Sequence, residues 1–298
     1  MKEFLKKRTN QRPRAVIFMS GSGTNAEKLL ESLKNSPTWE AALILTDNPQ
    51  SRAFEIGQRF KIPAILHDIR RFYADKGEKS IALINEKRRT IREEWTEEMR
   101  KILKPFRVDF GILAGFVPLT NICADFPCLN VHPGDLTIEE NGHRLLVGLH
   151  TIPIETAILA GHKQLRSSVI VAQPYTGRGG EMDSGPILGI SEPVPINLNI
   201  DIERLCEIRK KRPLQKPAGG YKDALEEIAK EHQEKLKIFG DWTVFPPVVA
   251  DFAKGLFSYD EDNNLYYGAN SQLKKIKTVI YHANGEREPL YKNKEEEK

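Results

Sequence analysis

The chain of 298 residues has little cysteine, no long apolar run and little net charge. Its three cysteines, Cys123, Cys128 and Cys206, are too sparse and odd in number for a disulfide framework. None lies in a CxxC pair, so no zinc site is expected, and the sequence predicts burial of all three as small hydrophobes. Nowhere do apolar residues approach the roughly 18 in succession that a membrane helix requires. The basic N-terminus, Met1 to Arg14, is not followed by an apolar core and does not read as a signal peptide. The expectation is a cytoplasmic protein with no membrane partner. A net charge of +4 suits an enzyme with anionic ligands and does not demand nucleic acid. The sharpest basic run, Arg209-Lys210-Lys211-Arg212, stands near Pro213, Pro217, Gly219 and Gly220 and is read as an exposed loop, with a phosphate or RNA contact as the alternative. The C-terminal Lys-Glu-Glu-Glu-Lys is read as a frayed tail.

The first half of the chain alternates short apolar runs with amphipathic stretches. Ala15 to Met19, Ala41 to Leu45, Ala64 to Leu66, Phe110 to Ala114 and Cys128 to Val131 read as strands. The longest helical pattern covers Ser80 to Leu103, with Ile81, Ile84, Ile91, Trp95, Met99 and Ile102 on one face. Alternation of this kind implies a parallel sheet with right-handed crossovers, and ligands then bind beyond the carboxyl ends of the strands. Past Ile190 helical patterns return near Tyr221 to Lys237 and Val248 to Ala253, followed by strands near Asn264 to Tyr267 and Lys277 to Tyr281. The expected organisation is an α/β catalytic domain over residues 14–258 and an extension over 259–298 with short strands and a charged tail.

Two groups of residues carry chemistry. Ser20-Gly21-Ser22-Gly23-Thr24-Asn25 follows the first strand and opens a helix, where free N–H groups and the helix dipole suit an anion. No Gly-Lys-Ser/Thr follows, so the Walker pattern is absent. Gly21-x-Gly23-x-x-Ala26, with Asp47 after the second strand, fits a relaxed dinucleotide fingerprint. The loop alone leaves three readings open: a dinucleotide, the phosphate of another ligand, or a plain tight turn. In the second group, Asn130 and His132 are two apart in an extended segment and face the same way, a pairing of donors that suits a developing oxyanion. Asp183, in a turn after the predicted Ser168 to Gln173 strand, is a carboxylate that could orient His132 or move a proton.

Taken together these residues resemble the folate-dependent formyltransferase family. The resemblance rests on Ser20-Gly21-x-Gly23-Thr24-Asn25, Leu113-Ala114-Gly115-Phe116, Leu129-Asn130-Val131-His132-Pro133, Gly148-Leu149-His150-Thr151 and Asp183-x-Gly185-Pro186, in the family's order. It spans about Ala15 to Pro193, with weaker echoes from Phe245 to Gly255, and leaves little room for the dinucleotide reading. It implies a Rossmann-like formyltransferase fold, a twisted, mainly parallel sheet flanked by helices. It implies 10-formyltetrahydrofolate as formyl donor and a small phosphorylated amine of purine synthesis as acceptor. Asn130, His132 and Asp183 would be the catalytic trio. Ser22, Gly23, Thr24 and Asn25 would hold the acceptor's phosphate, with His150 either in the pocket or packed at a helix start. Leu113, Ala114, Gly115, Phe116, Val117 and Leu119 would line the folate pocket.

The sequence also departs from the family's pattern. A long polar stretch from Gly134 to Arg144 follows the histidine, with Asn141-Gly142 as a hairpin signal. Val117-Pro118 stands where a basic residue is usual, and Leu205 to Gly240 is expanded. Ser168 is read as a structural hydroxyl. His67, His143, His162, His232 and His282 belong to no motif. The competing functions are formyl transfer to another amine (an amino sugar, a specialised metabolite or charged tRNA), folate binding without turnover, and nicotinamide-dependent oxidoreduction.

Overall fold

The computed structural model describes residues 1–6, 11–175, 181–214, 216, 217, 219–269 and 272–291. The C-terminal charged tail read from the sequence lies outside them, as does part of the segment preceding Asp183. The chain forms two compact units, one of Met1–Val131, Ile170–Pro186 and Pro246–Ile276, the other of His132–Val169, Ile187–Phe245 and the residues from Lys277 onward. The fold is α/β, with mixed, mostly parallel strands flanked by helices.

In the first unit the apolar runs become strands because both of their faces are covered. These are β1 (Arg14–Met19), β2 (Glu40–Thr46), β3 (Ala64–Leu66), β4 (Phe110–Leu113), β5 (Cys128–His132) and, from Ile170 on, β6 (Ser168–Ala172). They lie in the order β6-β5-β4-β1-β2-β3. β1 pairs in parallel with β2 and β4, β2 with β3, and β4 with β5. Helices α1 (Thr24–Asn35), α2 (Ala53–Phe60), α3 (Ile69–Asp75) and α4 (Glu86–Leu103) supply the crossovers. One core cluster packs Val16, Phe18, Leu43, Leu45 and Leu113 against Tyr73, Ile91, Trp95 and Met99. Cys123 and Cys128 are buried as expected, whereas Cys206 is half-exposed.

The helix expected from Ser80 begins only at Glu86. The Asn85 side chain accepts a hydrogen bond from the Arg88 N–H at 2.9 Å and caps the helix there. Ile81 still packs on the core, but Ile84 is 75% exposed, so the apolar periodicity ran past the true start. A second, antiparallel sheet of four strands joins Lys2–Glu3 to Phe257–Tyr259, Leu265–Tyr267 and Lys274–Ile276.

The second unit pairs β7 (Ile187–Ser191) in parallel with β8 (Thr278–Tyr281), which pairs antiparallel with β9 (Arg287–Leu290). Helices α5 (Ile152–Leu159), α6 (Ile202–Lys211) and α7 (Ala224–Leu236) bury Ile154, Ala157, Ile158, Leu205, Leu225, Ala229 and Leu236 against one another. Glu139–Glu140 and His143–Arg144 form the expected hairpin, with Asn141 and Gly142 both at positive φ.

The basic run is not an exposed loop. Arg209, Lys210 and Lys211 close α6, where cations complement the helix dipole. Arg212 turns inward, and its side chain is only 4% exposed. It donates to Glu155 Oε2 at 2.5 Å and to both carboxylate oxygens of Asp223 at 2.7 Å, over the ring of Tyr221. Burial works against this cation, yet its bonds to Asp223 and Glu155 hold it more firmly protonated than an ordinary arginine. The expanded segment is therefore tied from inside to α5 and α7. Beside it, hydrogen bonds from Lys216 and from the Lys222 backbone push the buried Glu226 carboxylate down from 4.5 to about 2.

Arg212→Met leaves the buried Glu155 and the half-buried Asp223 without their cation, and a loss of about 3–5 kcal/mol in urea-unfolding stability is expected. Unchanged stability would show that the triad is not what holds these helices. Glu226 binds fewer protons folded than unfolded, so its stabilisation is full above pH 4.5 and is lost as pH falls toward about 2. Glu226→Gln should flatten that acid limb in melting experiments, and an identical limb in the variant would contradict the assignment.

Candidate active site

Parallel pairing of β1, β2 and β4 brings the loops after Met19, Thr46 and Leu113 to one edge of the first unit. The glycine loop is built around Gly23, whose φ of +67° is left-handed. A Cβ there would lie 2.5 Å from the side-chain ends of both Met19 and Ile56, so glycine also permits close packing. α1 starts at Thr24 with no side chain capping it, and its positive end faces the loop of Gly21 and Ser22, both exposed. The sequence reading missed Arg52, which donates to the Ser22 carbonyl at 3.2 Å and pairs with Glu27 and Glu55. Its signal was its place just ahead of α2.

Asp47 does not project toward a ribose, as the dinucleotide fingerprint requires. It is 7% exposed and accepts the Ser20 hydroxyl at 2.5 Å. Burial raises its pKa, with the Ser20 hydrogen bond pulling the other way. Ser20 in turn accepts the Val117 N–H at 3.0 Å, and its own N–H donates to the Gly115 carbonyl at 3.2 Å. Ser20, at the head of the glycine loop, and the segment from Gly115 onward are thus tied together.

Within that segment Leu113 and Ala114 are core residues. Gly115 and Val117 are exposed, and Phe116 and Leu119 are half-buried. The space at Gly115 is open, with nothing within 4 Å of where a Cβ would stand. The Phe116 ring packs on Phe18 and Trp95.

Asn130 pairs in register with Leu113 and is half-buried at the end of β5. His132, two residues on, is 2% exposed, and its Nε2 lies 2.7 Å from the Leu146 carbonyl, which makes that nitrogen the donor. Asp183 is half-buried in the single turn Glu181–Ser184. His150 is exposed at positive φ just ahead of α5. Ser168 is fully buried; it donates to the Gly134 carbonyl at 2.7 Å and accepts from the Leu136 N–H at 3.0 Å. Its hydroxyl therefore pins the base of the Gly134 to Arg144 stretch, whose tip is exposed.

His67 stacks on Trp95 with ring centroids 5.0 Å apart, and burial lowers its pKa. Among the described residues no group of histidine, cysteine or acidic side chains is arranged to hold a metal. No helix among them is long and apolar enough to cross a membrane.

This arrangement is the formyltransferase fold. The chain is similar to a phosphoribosylglycinamide formyltransferase from Anaplasma phagocytophilum, with TM-score 0.57 and 18% identity over 92% of this chain and 100% of that one. It is similar to the corresponding enzyme from Coxiella burnetii, in complex with CHES, with TM-score 0.58 and 16% identity over 91% and 100%. A glycinamide ribonucleotide transformylase from Symbiobacterium toebii gives TM-score 0.54 and 20% identity over 85% and 93%. At such identities the likeness establishes a common fold. No family model matches the chain, and no curated protein matches it.

Gly23→Ala is expected to destabilise the protein by about 1–2 kcal/mol through the left-handed backbone alone, and further where Met19 and Ile56 must shift. Denaturant unfolding measures this, and wild-type stability in the variant would contradict it.

Proposed function

We propose that this protein is a formyltransferase that moves a formyl group from 10-formyltetrahydrofolate to the amine of a small phosphorylated substrate such as glycinamide ribonucleotide, in purine synthesis in the cytoplasm. The observation that carries the reading is the register of Asn130 beside Leu113, which sets an amide donor next to the segment proposed to receive folate. The fold supports it, being that of enzymes whose names specify this acceptor. Residues 14–258 would form the catalytic domain and 259–298 an extension.

The donor fits the residues present: Gly115 leaves open space, and Phe116, Val117 and Leu119 offer apolar surface around it. Bound 10-formyltetrahydrofolate supplies the carbon to be transferred. The glycine loop, Ser22 to Asn25, holds the acceptor's phosphate at the start of α1, with His150 on the acceptor side. Asn130 donates a hydrogen bond to the formyl oxygen as the amine adds and negative charge grows there, and His132, whose Nε2–H is given to the Leu146 carbonyl, does the same from Nδ1 as an imidazolium. Asp183 receives a proton from the attacking amine, and the folate nitrogen takes one up as its bond to the formyl carbon breaks and tetrahydrofolate leaves. The stretch from Gly134 to Arg144 follows His132 directly, and its pinned base suits it to select among amines.

His132→Ala is expected to lower turnover by about 10²-fold or more, the scale of losing one oxyanion donor, while folate affinity holds. Steady-state kinetics with a folate titration measure both. Near-normal turnover would remove His132 from the mechanism.

A further inference from the structure

Every polar atom of Ser20 engages another loop. Its N–H donates to the Gly115 carbonyl, its carbonyl accepts the Asn48 side-chain amide at 2.9 Å, and its hydroxyl links Asp47 to Val117. A hydroxyl has one proton. Giving it to Asp47 turns the oxygen's lone pairs toward the Val117 N–H. At the far end of the same segment, Arg92, itself 4% exposed, donates to the Leu119 carbonyl at 2.8 Å and is held by Tyr73 and the Ile81 carbonyl. Gly115 to Leu119 is therefore fixed at three backbone atoms while Gly115 and Val117 remain exposed. An exposed segment held rigidly in this way is built to meet a ligand without being ordered by it.

We propose that Ser20 and Asp47 are positioning residues: a buried latch that sets the donor-binding segment Gly115–Leu119 against the glycine loop. That the segment meets the folate donor rests on the formyl-transfer reading; the latch itself rests on the hydrogen bonds. Asp47 acts through Ser20, and Ser20 acts on the backbone of a neighbouring loop. The loss should therefore fall on donor binding and spare acceptor binding and chemistry.

The test is a set of initial-rate measurements with 10-formyltetrahydrofolate and glycinamide ribonucleotide on the full chain. Ser20→Ala and Asp47→Ala should each raise the donor KM by about five- to tenfold, the scale of one hydrogen bond. The acceptor KM and kcat should stay within about twofold, since neither acceptor nor reacting atoms touch the latch. Ser20→Thr keeps the hydroxyl and should restore the donor KM. The double variant should be no worse than either single one, because both remove the same bond. An unchanged donor KM, an equal rise in both KM values or no rescue by threonine would overturn the proposal. Amide hydrogen exchange over residues 115–119 provides an arm independent of activity. It should quicken about fivefold or more in the alanine variants, and unchanged exchange would overturn the latch. If the wild type transfers no formyl group, the functional reading falls, and exchange alone decides the latch.

Discussion

The hydrogen bond between Ser20 and the buried Asp47 is where the carboxyl edge of the first unit is tied together. Ser20 follows the strand β1, Asp47 follows its neighbour on one side, and the Val117 N–H comes from the loop after its neighbour on the other. Parallel pairing brings the three loops to one edge; this contact fixes their spacing. Without it, the segment from Gly115 would be a separate mobile connection. The donor side of the proposed chemistry, an apolar shelf beside Asn130, depends on that spacing.

The second unit solves a different problem with buried charge. Arg212 joins α6 to Glu155 in α5 and to Asp223 at the start of α7, so a polar triad fixes how three helices pack. Such a triad contributes specificity more than net stability, because desolvation offsets much of the attraction. Ser168 does similar work on a smaller scale by holding the turn after His132.

Much of this was legible in the sequence, for definite reasons. Ala64 to Leu66 and the other strands announced themselves as short apolar runs bounded by turn residues. Asn141-Gly142 specified its hairpin through its tolerance of positive φ. Gly23 marked a turn that packing and backbone both require. What was hidden depends on partners far along the chain. Arg212 reads as one more surface cation until Glu155, 57 residues away, is placed beside it. Asp47 fits a ribose-binding pattern until Ser20 claims it. The start of α4 was misread because apolar periodicity carries no sign of the capping role that Asn85 takes. The roles proposed for Asn130, His132 and Asp183 rest on motif order and on the two-residue spacing of Asn130 and His132.

The central claim is that the formyl carbon passes from folate to an amine on this protein. It is tested most directly by incubating the full chain with 10-formyltetrahydrofolate carrying a ¹³C-labelled formyl group and with glycinamide ribonucleotide, and following the label by NMR. The account predicts label in a new formamide on the acceptor, formed in step with tetrahydrofolate. Label that stays on the folate, or leaves as formate at a rate indifferent to the acceptor, would contradict it.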